Sequence, residues 1–456
     1  MKIESIEIKE VFKNALILKP NFHLNEGKVR ITNAIKSGAG FSLLEKKVKK
    51  IYTGGIFKRV FVKDKEYGIP YISAQNMMLL NPKDEAKLIS RKFTPRQEDM
   101  TLAYGQILVS CAGTVGNIRL ITKDLVGIIG SQDIIRVISD ETKSPFGFIY
   151  AYLASPTIYN FIQSYIYGSV VPRIEPKTLS KLPVINFSKD KQHEIHELII
   201  QSSELREKSI KQLDETIKLI DDSNPLSQDE KMFIISNKSI LEEDKYTAEK
   251  RLESDFYQPA IIDAINSIKG EKKLLGDLCT DISISNLRGR AFVEKGIPLY
   301  TGQSLGLIRP DLSKQLSRVL TKNIAANTTK NDDILLSIFG TLGKVEIAFE
   351  NFYTGIFADQ HLARIRVDKT RIHPGYIYAF LKSKFGNKQL MKFKTGSVIE
   401  WVNSNNVASL VIPVPKDRGL EIGEKVMQSI SMNDLAYKIE SKALNIIEEE
   451  IESWQK

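Results

Sequence analysis

The stretch from Asp190 to Asp222 is polar over most of its length but carries a narrow apolar seam. It contains no glycine and no proline, and its apolar residues are spaced by three, four or multiples of seven: Ile199, Ile210, Leu213, Ile217 and Ile220. This spacing predicts a single long helix. At 1.5 Å per residue the helix would span roughly 50 Å, which is longer than a small domain is wide.

A second stretch of the same character runs from Glu421 to about Trp454. Apolar residues recur there every seven positions, at Ile430, Tyr437, Leu444 and Ile451. Heptad spacing predicts a helix that packs along a partner helix. Each stretch follows a globular segment of similar size, so the chain is predicted to run globule, helix, globule, helix.

The two globular segments repeat one another at a distance of about 228 residues. Six blocks match in the same order: 68–76 with 296–304, 107–116 with 334–343, 130–137 with 358–365, 145–153 with 374–381, 168–171 with 396–399, and 182–185 with 412–415. Upstream of the first block, Arg59 aligns with Arg290. The repeat predicts two globules of one fold.

Within each globule, short apolar runs bounded by Gly, Asp or Asn predict strands and therefore an α/β fold. The predicted strands are Ile69–Ser73, Ile107–Cys111, Asn117–Ile121 and Ile134–Ile138, and in the second half Ile297–Thr301, Ile334–Ile338, Lys344–Phe349 and Leu362–Val367. One helix is predicted after each set, at Phe148–Ile166 and Tyr376–Phe393, with Gly168 and Gly396 as C-cap residues. A further helix is predicted from Arg251 to Ile268.

The net charge of +10 is unevenly distributed along the sequence. Residues 1–187 carry 27 Lys and Arg against 16 Asp and Glu, and residues 245–415 carry 24 against 16. The stretches 188–232 and 416–456 are acidic, with 7 against 11 and 6 against 9. The positive charge therefore belongs to the globules, which predicts two cationic surfaces facing a polyanion; a basic surface of solvated lysines is the alternative.

Motifs for catalysis and cofactor binding are missing from the sequence. It has no Gly-x-x-x-x-Gly-Lys-[Ser/Thr] phosphate loop and no Gly-x-Gly-x-x-Gly after a strand. His193 and His196 share a helix face without a third ligand nearby, which is more typical of a solvated surface than of a metal site. Residues 359–361 fit a turn at a strand end better than a catalytic group. We therefore expect no catalysis, no metal and no cofactor.

A cytoplasmic location is expected from three further features. No apolar run approaches the eighteen or so residues needed to cross a bilayer. The N-terminal residues lack the apolar region of a signal peptide. The two cysteines, Cys111 and Cys279, cannot form a disulfide framework or a thiolate metal site.

The paired Gly-Thr-x-Gly loops at Gly113–Gly116 and Gly340–Gly343 allow two interpretations. Their backbone N–H groups could cradle a phosphate. Strand-like residues on both sides favour tight hairpins instead. A hairpin tip can still touch a DNA backbone.

The order of these repeated motifs resembles that of the specificity subunit of type I restriction–modification systems. They are Gly-Ile-Pro-[Tyr/Leu], Ile-Leu-x-Ser-x-x-Gly-Thr-x-Gly, a Gln-centred turn, a Tyr-Ala-[Tyr/Phe]-Leu helix, Gly-Ser-Val-x, [Leu/Ile]-Pro-Val and a long helix. The resemblance covers nearly the whole chain in both halves, although residues 1–55 show no clear family pattern.

The resemblance implies a duplicated α/β (α+β) fold with pseudo-two-fold symmetry. Two target recognition domains, 1–187 and 245–415, would be separated by two long antiparallel coiled-coil helices, 188–222 and 416–456, with 223–244 as the connection. Each domain would read one half of a split site in double-stranded DNA. The helices would fix the gap and dock methyltransferase subunits, and restriction subunits would join to form the nuclease. The chain itself would be a non-catalytic subunit without cofactor.

Candidate DNA-contacting residues lie in and after the Gly-Ile-Pro strand of each half. Arg, Lys, Asn and Gln are the side chains that most often reach phosphates and base edges. The candidates are Arg59, Ser73, Gln75, Asn76, Arg91 and Lys92 in the first half, and Arg290, Thr301, Gln303, Ser304, Arg318 and Lys322 in the second. The halves differ most at these segments, which suits two different half-site sequences.

Two other classes of function stay open at this point. An enzyme would need a catalytic motif that the sequence lacks. A scaffold that joins partner proteins without touching DNA would show no salt-sensitive DNA binding. Within the DNA-binding interpretation, the chain could also serve a type II-like enzyme in which one partner both methylates and cleaves.

Overall fold

A computed structural model describes residues 19–168, 170–235, 253–285, 289–415 and 418–455. The chain divides into two compact units. Unit 1 comprises residues 1–207 and 435–456, and unit 2 comprises residues 208–434. Each unit therefore combines one globular repeat with about half of each long helix.

Unit 1 contains two four-stranded sheets. The large sheet has the order Val48–Thr53, Ile134–Ser139, Ile107–Ser110, Ile118–Leu120, and all its pairs are antiparallel. The small sheet has the order Phe61–Val62, Lys87–Ser90, Gly68–Ile72, Ile129–Gly130, and its last pair is parallel. A two-stranded sheet joins Phe41–Leu43 to Pro183–Ile185.

Unit 2 repeats this topology strand for strand. Its large sheet has the order Cys279–Ile284, Leu362–Val367, Ile334–Ser337, Val345–Ile347. Its small sheet has the order Phe292–Val293, Gln315–Leu316, Ile297–Tyr300, Phe357–Ala358, again with a parallel last pair. Lys272–Leu274 pairs with Val411–Pro413. The strands predicted from apolar runs and the predicted fold class are confirmed.

The helices that surround the sheets are short. In unit 1 they are Pro20–His23, Glu26–Lys36, Gln97–Met100, Phe146–Ala154, Pro156–Ser164 and Pro176–Leu179, with 3-10 turns at Leu44–Lys46, Asn76–Met78, Pro82–Glu85 and Lys123–Leu125. In unit 2 they are Pro259–Asn266, Ile324–Asn327, Pro374–Lys382, Lys384–Lys392 and Ser404–Ala408, with 3-10 turns at Ser254–Tyr257, Leu275–Leu278 and Gly302–Ser304. No helix among the described residues is long and apolar enough to cross a membrane.

The single helices predicted after each set of strands are wrong, because each is two helices. In unit 1 the break falls at Ser155, whose ψ of 147° is extended, and Pro156 starts the next helix. Proline disfavours helical geometry in the residue before it and fits the first helical position. In unit 2 the break falls at Ser383, whose side chain caps the next helix by accepting from the Gly386 amide at 3.0 Å.

The C-cap role predicted for Gly168 and Gly396 is also wrong. The preceding helices end at Ser164 and Lys392, several residues earlier. Both glycines lie in the following loop with positive φ, +90° and +98°, a backbone conformation that glycine adopts without strain. Of the predicted helix that opens the second globule, the structure has Pro259–Asn266, and Arg251 lies outside the described residues.

The two long helices run over Lys189–Ser223 and Arg418–Ser453, which confirms both predictions. In unit 1, the Ser202 hydroxyl donates to the Ala436 carbonyl at 2.7 Å, and Lys191 pairs with Glu450 at 2.5 Å. Later residues of the first helix contact earlier residues of the second, so the two helices pack antiparallel. In unit 2, the Ser209 hydroxyl donates to the Ser429 carbonyl at 2.7 Å.

The buried seam of the second long helix differs from the predicted one. Ile451 is buried, but Ile430, Tyr437 and Leu444 are only half-buried beside the seam. The centre is a heptad pattern of Val426, Ser429, Asn433, Ala436, Glu440, Ala443 and Ile447. It matches a pattern of buried residues spaced by three and four on the first helix, namely Gln192, Ile195, Ile199, Ser202, Arg206, Ser209, Leu213, Thr216 and Ile220, with Ile210 also buried beside it. Small and polar residues make up much of this seam. A search for apolar residues alone therefore selected Ile430, Tyr437 and Leu444, which lie beside it.

One pair of repeated glycines brings a short helix onto each long helix. A Cβ at Gly147 would lie 2.6 Å from Nδ1 of His196 on the first long helix. At the matching position in unit 2, a Cβ at Gly375 would lie 2.5 Å from the Gly423 carbonyl oxygen on the second. Real Cβ atoms do not approach that closely, so glycine at both positions allows the helices to touch.

Candidate nucleic-acid interface

The small sheet of each unit brings the predicted basic residues together. In unit 1, the Ser90 amide donates to the Val60 carbonyl at 2.8 Å, which places Arg59 beside Arg91. Arg59, Arg91 and the neighbouring Lys92 are all exposed. Residues some thirty positions apart in sequence thus form one cationic edge.

The same edge forms in unit 2. The Ser317 amide donates to the Ala291 carbonyl at 2.7 Å, and the Lys322 amide donates to the Gly289 carbonyl at 3.0 Å. Arg290 therefore lies beside the exposed side chains of Arg318 and Lys322. The predicted basic positions of the two halves occupy corresponding places in the two small sheets.

The predicted polar residues after the Gly-Ile-Pro strand of unit 1 form a turn. The Ser73 hydroxyl donates to Asn76 Oδ1 at 2.6 Å, and the Asn76 amide side chain donates to the Glu85 carbonyl at 3.2 Å. Gln75, between them, is exposed. Ser73 and Asn76 thus shape the turn that presents Gln75 to solvent.

Unit 2 builds the corresponding turn with different side chains. The Ser304 hydroxyl accepts from the Thr301 amide at 3.2 Å, and the Thr301 hydroxyl accepts from the Gln303 amide at 3.3 Å. Ser304 is buried and also donates to Asp311 at 2.7 Å. Gln303 is exposed, as Gln75 is in unit 1. The exposed glutamine therefore lies at the matching position of each turn.

Arg59 and Arg290 are held in different ways. In unit 1, Arg59 Nη1 lies 3.4 Å from the Tyr71 hydroxyl, a weak hydrogen bond. In unit 2, Arg290 Nη2 donates to Gln360 Oε1 at 2.5 Å, and the guanidinium lies 5.6 Å from the centroid of the Phe357 ring. The arginine of unit 2 is therefore more firmly oriented.

Gln360 belongs to a polar cluster that the sequence interpretation did not select. Its Nε2 lies 3.1 Å from His361 Nε2, and His361 Nδ1 lies 3.0 Å from Asp359 Oδ2. The Phe339 ring stacks on the His361 ring, with centroids 4.6 Å apart. Burial raises the pKa of the Asp359 carboxyl, although the His361 amide, His361 and Arg290 all favour its charged form. The Gln-centred turn shared by the repeats was the signal for this cluster.

A buried arginine lies behind this turn in each unit. Arg136 is fully buried and donates to the Gly130 carbonyl at 2.6 Å and to the Ile134 carbonyl at 3.0 Å. These carbonyls flank Gln132, so the arginine fixes the turn from inside. Arg364 occupies the matching position in unit 2 and donates to Ser283 at 2.7 Å.

The Gly-Thr-x-Gly loops are hairpins, as predicted. Each connects two antiparallel strands of a large sheet. The Gly116 amide donates to the Ser110 carbonyl and the Gly343 amide to the Ser337 carbonyl, both at 2.9 Å. The serine hydroxyls donate to the carbonyls of Thr114 and Thr341 inside the loops. These bonds make both hairpin tips rigid.

The site has the character of a binding surface. Among the described residues, no group of three or more His, Cys, Asp or Glu side chains is placed to hold a metal ion. His196 instead accepts from the Gly147 amide at 3.2 Å, and burial lowers its pKa. What the site offers is exposed Arg, Lys and Gln side chains, which can bind phosphates and base edges.

Comparison with known proteins supports this interpretation. Residues 45–219 match the family model for the type I restriction modification DNA specificity domain. No curated protein matches the chain. Two similar solved structures are the S subunit of a type I restriction-modification system from M. genitalium and the HsdS subunit from Thermoanaerobacter tengcongensis.

These structures are distant from the chain in sequence and geometry. The M. genitalium subunit is 15% identical, with 92% of this chain and 96% of that chain covered, at a TM-score of 0.33. The T. tengcongensis subunit is 13% identical, with 91% and 96% covered, at a TM-score of 0.28. Residues 45–219 are therefore similar to the type I restriction modification DNA specificity domain, and this match covers less than half of the chain.

Proposed function

We propose that this chain is a DNA-specificity subunit and that each of its units reads one half of a split DNA site. One observation carries this proposal: the two units share one topology and an exposed basic edge, but they surround its arginine with different side chains, Tyr71 at Arg59 and Gln360 at Arg290. A duplicated scaffold whose edge arginines have different surroundings suits a target made of two different short sequences. We propose residues 1–187 and 245–415 as the two target recognition domains.

Affinity and sequence choice come from different residues in this proposal. Exposed Lys and Arg on the two edges neutralise phosphates, which gives binding that weakens steeply with salt. Arg59, Arg290, Gln75 and Gln303 reach base edges in this proposal, where arginine pairs with guanine and glutamine with adenine. The salt-sensitive part of the binding free energy is the same for every DNA sequence, whereas the base contacts select the motif.

The long helices fix the distance between the two half-sites in this proposal. Their antiparallel seam is continuous in heptads, so inserting seven residues into each helix keeps the seam in register. Seven residues add about 10 Å of helix, which is about three base pairs of DNA. The gap in the recognised motif is expected to lengthen by that amount.

Partners supply the chemistry. We infer that methyltransferase subunits dock on this chain, that restriction subunits join them, and that the chain itself is not an enzyme. The assembly is proposed to act in the cytoplasm. The absence of catalytic motifs from the sequence supports this division of roles, and the family to which residues 45–219 belong is a DNA specificity domain.

The test is co-purification of the full chain with its methyltransferase, followed by mapping of methylated adenines on genomic DNA. A single split motif, with two defined blocks and a fixed gap, is the expected result. A complex that forms but methylates no defined motif, or a chain that binds no methyltransferase, would favour the scaffold function instead.

A further inference from the structure

Both units expose a pair of aliphatic residues at the same place. Val170 is 90% exposed and Val398 is 93% exposed, although the two positions are 228 residues apart in sequence. The residues that follow them, Val171 and Ile399, are 45% and 52% exposed. A valine with this exposure contributes little to packing, so the fold alone does not explain why both repeats keep it.

Each aliphatic pair is fixed next to a Gly-Thr-x-Gly hairpin. In unit 1, the Gly113 amide donates to the Pro172 carbonyl at 3.1 Å. In unit 2, the Gly340 amide donates to the Glu400 carbonyl at 2.9 Å. We call the hairpin Gly113–Gly116 with Val170, Val171 and Arg173 the tip of unit 1. The tip of unit 2 consists of the corresponding residues, Gly340–Gly343 with Val398, Ile399 and Trp401.

Arg173 and Trp401 occupy the same backbone position in the two tips. Arg173 exchanges two backbone hydrogen bonds with Tyr167, at 3.0 and 2.8 Å. Trp401 exchanges two with Thr395, both at 2.9 Å. Each also bridges to the residue that leads into its hairpin, Ala112 or Phe339. Both side chains are exposed, so one rigid position presents a guanidinium in unit 1 and an indole in unit 2.

The tip of unit 2 is continuous with the cluster around Arg290. Trp401 bridges to Phe339, and the Phe339 ring stacks on His361. His361 contacts Gln360, which accepts from Arg290. A continuous series of contacts therefore links Trp401 to the Arg290 cluster.

We propose that each tip enters a groove of its own half-site and that Arg173 and Trp401 are half-site-specific reading residues. The shared aliphatic pair packs against base edges or between base steps, as apolar side chains do in several DNA complexes. Every duplex presents such surfaces, so both units keep an aliphatic pair. This assignment rests on the proposed function.

The difference between Arg173 and Trp401 favours DNA over a docked protein. Two copies of one methyltransferase would present the same surface to both tips and would favour the same residue at this position. Two half-sites present different bases. Arginine can donate two hydrogen bonds to a guanine, whereas an indole offers apolar area and one donor.

The test uses the full chain assembled with its methyltransferase. Four variants are compared with wild type: Arg173→Ala, Arg173→Lys, Trp401→Ala and Val170→Ser. Lys181→Ala, another exposed residue of unit 1, is the control. Binding is measured by fluorescence anisotropy at one salt concentration. The probes are the duplex that carries the wild-type motif and duplexes with single-base changes, and methylated sites are mapped for each variant.

Arg173→Ala is expected to weaken binding to the wild-type duplex about tenfold or more and to relax one position of one block. Arg173→Lys is expected to behave similarly, because lysine lacks the planar fork. Trp401→Ala is expected to affect only the other block. Val170→Ser is expected to weaken binding without changing the motif, and Lys181→Ala to change little.

Two results would overturn the assignment of the tips while leaving the proposed function intact. One is a wild-type split motif with no effect of any tip variant. The other is reduced capture of the methyltransferase by Val170→Ser, with normal DNA affinity of the complex that does assemble, which would make the tip a protein-docking surface. A wild-type complex that methylates no split motif would overturn the proposed function and this assignment together.

Discussion

The third residue of the large-sheet strands Ile134–Ser139 and Leu362–Val367 is a buried arginine in both units, but its partners differ. In unit 1, Arg136 donates to four backbone carbonyls of the surrounding turns, and Gly130 is the nearest at 2.6 Å. In unit 2, Arg364 contacts the side chains of Ser283 and Asp281 and the Ala326 carbonyl. The scaffold fixes where the arginine lies, and the surrounding segments have diverged around it.

The long helices show a second difference between the units. In unit 1, Arg206 and Glu440 form a buried ion pair at 2.5 Å, and the Tyr150 hydroxyl also donates to Glu440. The matching seam positions in unit 2 are Asn433 and Leu213. The seam in unit 1 therefore contains a buried ion pair at the positions where the seam in unit 2 has an apolar residue and an amide. Such a difference distinguishes two otherwise similar halves of one seam.

The largest expected effect follows from breaking that ion pair. Glu440→Leu leaves the Arg206 guanidinium buried without its carboxylate, which costs about 3–5 kcal/mol of unfolding free energy. The double variant Arg206→Met/Glu440→Leu is expected to recover most of the loss, because no unpaired charge remains. Urea denaturation followed by circular dichroism measures both. Equal stability of Glu440→Leu and wild type would contradict the role given to the pair.

The buried arginines of the large sheets provide the next comparison. Arg136→Met strips several buried carbonyls of their donor and is expected to cost about 3 kcal/mol. Arg364→Met is expected to cost less, because Asp281 is 39% exposed and can bind water instead. Urea denaturation of the two variants compares them directly. A larger loss for Arg364→Met would reverse the ranking and the explanation for it.

Removing the basic residues of the small-sheet edges is expected to affect DNA binding but not folding. Arg290→Ala and Arg59→Ala are each expected to weaken binding of the assembled complex to its motif by about 1–3 kcal/mol. The loss is expected to be larger for Arg290, which Gln360 orients. Lys269→Ala and Lys181→Ala, at exposed positions elsewhere in units 2 and 1, are the matched controls. If these variants lose no more DNA affinity than the controls, the small-sheet edges do not contact DNA.

The smallest expected effect concerns the serines that cross the helix seam. Ser202→Ala and Ser209→Ala each remove one hydroxyl that donates to a backbone carbonyl of the other helix. Each is expected to cost about 1 kcal/mol of unfolding free energy. Similar losses in thermal denaturation would show that the two halves of the seam pack alike. A loss at one serine alone would show that they do not.

The sequence predicted those elements whose signal is local. Short apolar runs such as Ile334–Ser337 and the uninterrupted helix Lys189–Ser223 were found within a residue or two of their expected bounds. The break at Ser155 was missed because the apolar spacing continues across it. The seam of the second helix was misplaced because Ser429, Ala436 and Glu440 are not apolar, and only packing against the partner helix explains their burial.

The candidate site was predictable in outline only. Arg59 and Arg290 were chosen because the repeat aligns them, and the structure places each beside a second basic segment. The contact between Arg290 and Gln360 joins residues 70 positions apart in sequence. A local sequence pattern cannot predict a contact between residues so far apart. The 228-residue repeat already aligned Arg173 with Trp401. Because their side chains differ, only their shared bridges and exposure in the structure singled the position out.

The most direct test that each unit recognises one block of the motif independently is a chimaera. Residues 1–187 are exchanged for the same segment of a family member with another motif, and methylated adenines are mapped for the complex with the methyltransferase. The account predicts that one block of the motif changes to the donor's sequence while the other block and the gap stay the same. Changes in both blocks, or an unchanged motif, would contradict it.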